Sequence, residues 1–185
     1  EIIRGWVEFN LIQYLQKRNP SVPGIVDKLY APRERSLQRV KKYWKDVVSV
    51  RPICEIYGGM QLDEKNISID HFVPWSYVAH DEFWNLTPTT RNINSSKSNS
   101  LPEWETYFPM LCKMEYLSYE LMWEYPGIYA AFEKCAREHL NNQEIKYKLY
   151  QKNLSEAEFS GRLEDVLLPV YQSAKSMGFS SWRWE

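Results

Sequence analysis

The sequence predicts an α+β fold, mostly α, in which a small unit of two strands and one helix is flanked on both sides by helices. Three observations point to it. Apolar residues recur at helical spacing over residues 6–18 and 33–48 and again after residue 101. Between those regions, "ICEIYGG" and "ISIDHFV" are short, β-branched and bounded by Gly- or Asn-rich stretches, which is the pattern of strands. Two strands of that length cannot bury a core alone, so the flanking helices must complete it. The expected regions are an N-terminal helical part over 1–50 with a basic helix, a ββα core over 51–100 and a C-terminal helical part over 101–185.

In chain order, "WVEFNLIQYLQKR" at 6–18 sets Val7, Leu11, Tyr14 and Leu15 on one stripe flanked by Trp6, and "NPSVPG" ends it. The helix expected over 33–48 follows Pro32, which suits a first turn. One face carries Leu37, Val40, Trp44, Val47 and Val48; the other carries Arg33, Arg35, Arg39, Lys41, Lys42 and Lys45. The pattern changes at Arg51-Pro52, where the two strands begin, separated by a loop over residues 58–66. Thr87 and Pro88 read as N-cap and first residue of a helix over 88–98. Beyond Leu101-Pro102 the chain is helical again. Pro109 is expected to start or kink one helix and Pro126-Gly127 to open the next. Ser155 and Glu158 form a capping box ahead of a helix bent or broken near Pro169. The aromatic and Met-rich run at 104–125 reads as core, and "WRW" at 182–184 reads as either a packed tail or a docking handle.

The 185 residues suffice for one compact domain with at most a small second lobe. No apolar run approaches the roughly 18–20 residues that span a bilayer. The sequence, which opens with Glu1, shows no basic and apolar leader pattern. Cys54, Cys112 and Cys135 are far apart and form no CxxC pair, so neither a disulfide framework nor a cysteine zinc knuckle is expected, and a reducing, cytoplasmic setting is. Net charge is −1 but uneven: residues 1–51 balance to +6 and residues 100–185 to −4. Such asymmetry fits a nucleic-acid face or a solvated helix surface, and charge alone does not choose.

The chemistry concentrates in "SIDHFVPWSYVAHDEFWNLTPTTRNINSSKSN", residues 68–99. Asp70 and His71 are adjacent at a strand end, where successive side chains face opposite ways. One residue then offers a carboxylate to a hard cation while its neighbour offers an imidazole that takes a proton near neutral pH. Asn94 lies on the following helix, with Arg91 and Ser98 near its face. Carboxylate and amide can meet as two oxygen ligands of a cation that keeps its waters and room for phosphate oxygens.

These residues resemble the HNH, or ββα-metal, nuclease motif in its Asp-His-Asn version, as found in phage junction resolvases and in the HNH domain of CRISPR effector nucleases. The likeness lies in Ile69-Asp70-His71 with Pro74, then Asn85-Leu86 fourteen residues after His71, then Asn94 nine residues on, with Lys97. The resemblance implies a metal-dependent endonuclease acting on DNA, with RNA the open alternative. It implies His71 as general base, Asp70 and Asn94 as metal ligands, and Asn85 as the residue bracing the loop behind the histidine. Arg91 and Lys97 become phosphate or leaving-group contacts, and Arg35, Arg39, Lys42 and Lys45 become duplex contacts on the basic helix. Mg²⁺ is the expected cation, with Mn²⁺ second, because the third motif position is Asn and not His. Many relatives carry paired cysteines for a structural zinc; here Cys54 has no such partner, and no structural zinc is expected. Two other readings compete: a non-catalytic nucleic-acid-binding module on the same scaffold, and an effector subunit gated by a protein partner on the acidic, aromatic C-terminal region. His80 and His139 have no partners at metal-ligand spacing.

Overall fold

A hairpin of two five-residue strands, β1 (Ile67–His71) and β2 (Leu86–Thr90), organises the chain, which is described by a computed structural model over residues 2–18, 25, 37–140 and 143–185. The strands pair antiparallel from Ile67 opposite Thr90 to His71 opposite Leu86. Pro88 sits opposite Ile69 in this ladder. Every residue of β2 is buried, and β-branched Thr87, Thr89 and Thr90 suit that environment.

Two expectations change here. The helix after the hairpin starts three residues later than Thr87-Pro88 suggests, because those residues are taken up by the ladder. Thr90, extended at φ −97° and ψ 160°, is the N-cap, and its hydroxyl accepts from the Ile93 amide at 3.5 Å. The helix runs Arg91–Lys97. "ICEIYGG" is not a strand of the hairpin but a turn closed by a single bridge, Cys54 opposite Gln61. The cause is Glu55, a buried carboxylate that accepts from the amides of Tyr57, Gly58 and Met60 at 2.8–2.9 Å and curls the backbone around itself. The unit is still two strands and a helix, but its strands are β1 and β2: the expected first strand is the Glu55 turn, and the second strand occupies the start of the expected helix.

The helices, numbered in chain order, are α1 (Ile2–Arg18), α2 (Gln38–Val50), α3 (Trp75–Val78), α4 (Arg91–Lys97), α5 (Trp104–Glu124), α6 (Pro126–His139), α7 (Gln143–Leu149) and α8 (Glu156–Ser176). Residues 33–36, including Arg33 and Arg35, and the break "NPSVPG" at 19–24 lie outside the described residues. From residue 38 onward α2 forms as expected and buries Val40, Trp44 and Val47, together with Tyr43. Pro126 takes the first turn of α6, and the Ser155–Glu158 capping box opens α8. Pro109 and Pro169 do not end their helices: α5 begins at Trp104, ahead of the one, and α8 runs through the other.

One buried apolar cluster reaches from Val40 on α2 to Ala174 on α8 and takes in Phe72 and Val73 beside the hairpin. This is how two short strands become stable: α2 packs on both of them, and α5, α6 and α8 close the rest. The terminal "WRW" is a packed tail. A two-residue strand β4 (Ser181–Trp182) pairs in parallel with β3 (Leu101–Pro102), and the Trp184 amide donates to the Tyr107 hydroxyl at 2.9 Å. α1 is helical as expected, yet none of its residues is buried, and Ile2, Ile3, Trp6 and Phe9 are exposed. All three cysteines are free, and burial pushes the Cys135 thiol up to about 12 and Cys112 to about 11. Among the described residues no helix is long and apolar enough to cross a membrane.

Glu115 on α5 is fully enclosed, and burial raises its carboxyl well above the usual range. The folded state therefore holds a proton there that the unfolded chain releases above its ordinary carboxyl pKa, so stability falls as pH rises through the neutral range. Glu115→Gln should remove that loss. We expect the variant to be more stable than the parent at pH 8, by on the order of 1 kcal/mol or more, and to converge with it below about pH 4.5, as read from urea unfolding at several pH values.

Candidate active site

At the end of β1 the sequence places an acidic residue where the fold leaves almost no water: Asp70 is 3% exposed. Two groups answer its charge. The Tyr57 hydroxyl donates to Oδ2 at 2.6 Å. The Lys97 ammonium lies 3.0 Å from Oδ2 and 3.2 Å from Oδ1. Lys97 is itself completely buried and also donates to the His71 carbonyl at 2.7 Å. Burial lowers the Lys97 pKa from its ordinary value, and the Asp70 carboxylate opposes that only in part. Burial and the adjacent Asp70 hold the Tyr57 phenol well above its usual range, so it stays a proton donor.

Asn94 and Lys97 are three apart on α4 and share the helix face that meets β1. Asn94 Nδ2 donates to Ser68 Oγ at 3.0 Å and to the Ile69 carbonyl at 2.9 Å. A carbonyl can only accept, which fixes the amide orientation and leaves Oδ1 as its atom for a cation. A carboxylate and an amide oxygen, with no thiolate, are donors that a hard divalent cation takes while keeping several waters. The residues thus fit such a cation, which would share Asp70 with Lys97. Among the described residues no three His, Cys, Asp or Glu side chains cluster as a metal site.

His71 is 6% exposed, and its Nε2 lies 2.7 Å from Asp81 Oδ1. The carboxylate accepts, so Nε2 carries the proton. Asp81 sits in the loop between the strands, and its carbonyl accepts from His139 Nδ1 at 3.1 Å. Burial lowers the His139 pKa, favouring the neutral ring. The same loop brings His80 within 3.4 Å of Glu82. Its geometry is set by Asn85, which is fully buried. Asn85 Oδ1 accepts from the Val73 amide at 2.8 Å, its Nδ2 donates to the Val73 carbonyl at 2.9 Å, and its own carbonyl accepts from the Phe72 amide at 2.9 Å.

The structure thus gathers Asp70, His71, Asn85, Asn94 and Lys97 around one end of the hairpin. Arg91 is exposed at the start of α4. Lys97 faces inward, onto Asp70. Of the basic residues of α2, Arg39 pairs with Glu138 on α6 at 3.0 Å, Lys42 pairs with Asp46 at 3.0 Å, and Lys45 is half-buried. Arg35 lies outside the described residues. Two residues that touch the site are not singled out by the sequence pattern. Asp81 directly follows His80, and a carboxylate ten residues after His71 is the signal it offers. Tyr57 offers none, since it sits in what reads as a strand.

Compared with family models, residues 55–103 match the model described as HNH endonuclease. The matched segment begins at the Glu55 turn and ends at Glu103, just past β3, so it contains Tyr57, the hairpin, α4 and every residue around Asp70 and His71 named above except His139. The chain carries an HNH endonuclease domain. No curated protein and no solved structure matches the chain. The helices outside the HNH domain, α2 and α5 to α8, supply most of the shell in which it is packed.

Asn85 offers the clearest stability test of the HNH domain. Its side chain satisfies both backbone polar groups of Val73, a residue with no exposure. Asn85→Ala leaves both unpaired, and the expected cost is about 2–4 kcal/mol in urea unfolding. Asn85→Asp should be no better, because it keeps the acceptor, loses the donor and buries a charge.

Proposed function

We propose that the chain is a metal-dependent endonuclease that hydrolyses phosphodiester bonds of DNA, with His71 as general base and Asp70 and Asn94 as cation ligands. The observation that carries this reading is the placement of Asn94 against β1 at Ile69, next to Asp70 and His71 of the same strand, inside the segment that matches the HNH model. Asp81 holds His71 Nε2–H, so Nδ1 is the ring nitrogen that takes the proton of the attacking water, and the Asp81 carboxylate stabilises the imidazolium that results. A divalent cation bound there, Mg²⁺ or Mn²⁺, supplies charge neutralisation at the scissile phosphate. Asn85 keeps the loop that carries Asp81 closed over the histidine. Lys97 acts as the counter-ion of Asp70 and as a tie between α4 and the His71 backbone. Arg91 and the exposed basic residues of α2 are the groups offered to the phosphate backbone.

His71→Ala should lower cleavage of plasmid DNA by roughly 10²–10⁴-fold while DNA binding persists. Asp70→Ala and Asn94→Ala should each move the cation dependence of cleavage to higher concentration, and a chelator should stop cleavage without unfolding the chain. Cleavage by His71→Ala at the parental rate would show that His71 is not the general base and that the site lies elsewhere; no cleavage by the parent under any divalent cation would leave a nucleic-acid-binding module as the surviving reading.

The contribution of α2 is separable through salt. Arg39, Lys42 and Lys45 carry no chemistry in this reading, and surface ion pairs such as Arg39–Glu138 are weak enough to exchange for phosphate. Replacing all three with Gln should flatten the slope of log affinity against log salt by roughly 0.9 for each phosphate that is no longer neutralised, with turnover at saturating DNA unchanged. An unaltered slope in fluorescence anisotropy would assign the helix to a purely structural role.

A further inference from the structure

Trp182 and Tyr57 stand 125 residues apart in the chain, yet their rings meet edge to face at 5.3 Å, and the Tyr57 hydroxyl bonds to Asp70. We propose that Tyr57 is a positioning residue for the cation-binding carboxylate of Asp70, and that the C-terminal tail Ser181–Trp184 holds Tyr57 in that position, so that the tail is part of the nuclease centre. This rests on the reading of Asp70 as a cation ligand.

The geometry around Asp70 separates the roles of its two partners. Lys97 straddles the carboxylate, 3.0 Å from one oxygen and 3.2 Å from the other, and so supplies charge without distinguishing them. Tyr57 takes Oδ2 alone, at 2.6 Å, the length of a charge-assisted bond. It is the contact that sets which oxygen is engaged and how the carboxylate is turned. A ligand carboxylate oriented in this way loses less freedom when it takes a cation, and partners of this kind are part of a metal site as much as the ligands are.

Tyr57 is held from three sides. Its amide donates to Glu55 Oε2 at 2.8 Å. Its ring packs edge-on against Tyr107 of α5 at 5.2 Å and against Trp182 at 5.3 Å. The tail fixes both of these rings. The Tyr107 hydroxyl accepts from the Trp184 amide at 2.9 Å, and Trp182 is paired opposite Pro102. The Trp182 indole also donates to Ser96 Oγ on α4 at 3.3 Å, so the tail touches the helix of Asn94 and Lys97 as well as the turn of Tyr57. The fit is close at Gly58, where a Cβ would stand 2.9 Å from the Trp184 indole. Packing alone would be served by phenylalanine at position 57, and the charge of Asp70 is already met by Lys97. What the hydroxyl adds is orientation.

Calorimetric titration of Mn²⁺ into the full chain without DNA tests this independently of cleavage. Asp70→Ala, shown to be folded by circular dichroism, should leave no detectable binding at the site over the concentrations titrated. Tyr57→Phe keeps the ring and its contacts, so it folds, and it should weaken binding by roughly 10–100-fold. Trp182→Ala should weaken it in the same direction by less. Because Trp182 acts through Tyr57, the double variant should bind within about a factor of two of Tyr57→Phe alone. Parental affinity in Tyr57→Phe, with binding abolished in Asp70→Ala, would overturn the inference and leave the site reading intact. Parental affinity in Asp70→Ala would overturn both. A tail substitution that costs as much in the Tyr57→Phe background as in the parent would show that the tail acts by general support and not through Tyr57.

Discussion

A carboxylate withdrawn from water has to be met by donors and by a positive charge, and much of the HNH domain can be understood as the answer to Asp70. Lys97 can reach it only if α4 lies along β1, and Tyr57 can reach it only if the chain before β1 turns back on itself. Glu55 arranges that turn by collecting three amides. Removing one member of such a buried pair leaves an uncompensated charge, which costs far more than the pair itself contributes. The arrangement is therefore locked from both directions, and the hairpin, the helix and the turn are fixed relative to one another around a single side chain.

His71 is held by a different kind of constraint. Its ring is tied to Asp81 in the loop that joins the strands, and that loop is closed by one buried amide, Asn85, acting on both sides of one residue. The two faces of the strand end are thus supported separately: Asp70 by charge and by α4, His71 by the hydrogen bonds of the loop. Two adjacent residues with opposite chemical demands can coexist because successive side chains of a strand face opposite ways.

The motif is legible in the sequence because its anchors sit at fixed intervals within one supersecondary unit. Asp70, His71, Asn85 and Asn94 can be picked out without knowing the fold, and the structure gives Asn85 two bonds to Val73. Boundaries are less legible. Thr87 and Thr90 are equally good caps in isolation, and only the register against β1 decides between them. Glu55 makes a turn of an apparent strand because it is buried, which periodicity does not reveal. Tyr57 and the tail are invisible for a related reason: their contacts span distances in sequence at which no local pattern survives. The stripe of α1 shows the converse, since spacing predicts a helix but not whether a surface exists to receive it.

The pairing of β3 with β4 joins residues eighty positions apart through only two residues on each strand. Closing so long a loop carries an entropic cost that two residues of ladder offset only with the help of the tryptophans. The hairpin needs no such closure and can form early, from contacts within about twenty residues. Folding should therefore finish at the tail, and opening should begin there, as a partial unfolding that leaves the hairpin and the helical core in place. In hydrogen-exchange terms, the amides of Leu101 and Glu103, which bond to the carbonyls of Ser180 and Trp182, would report that opening well before the ladder of β1 and β2 exchanges.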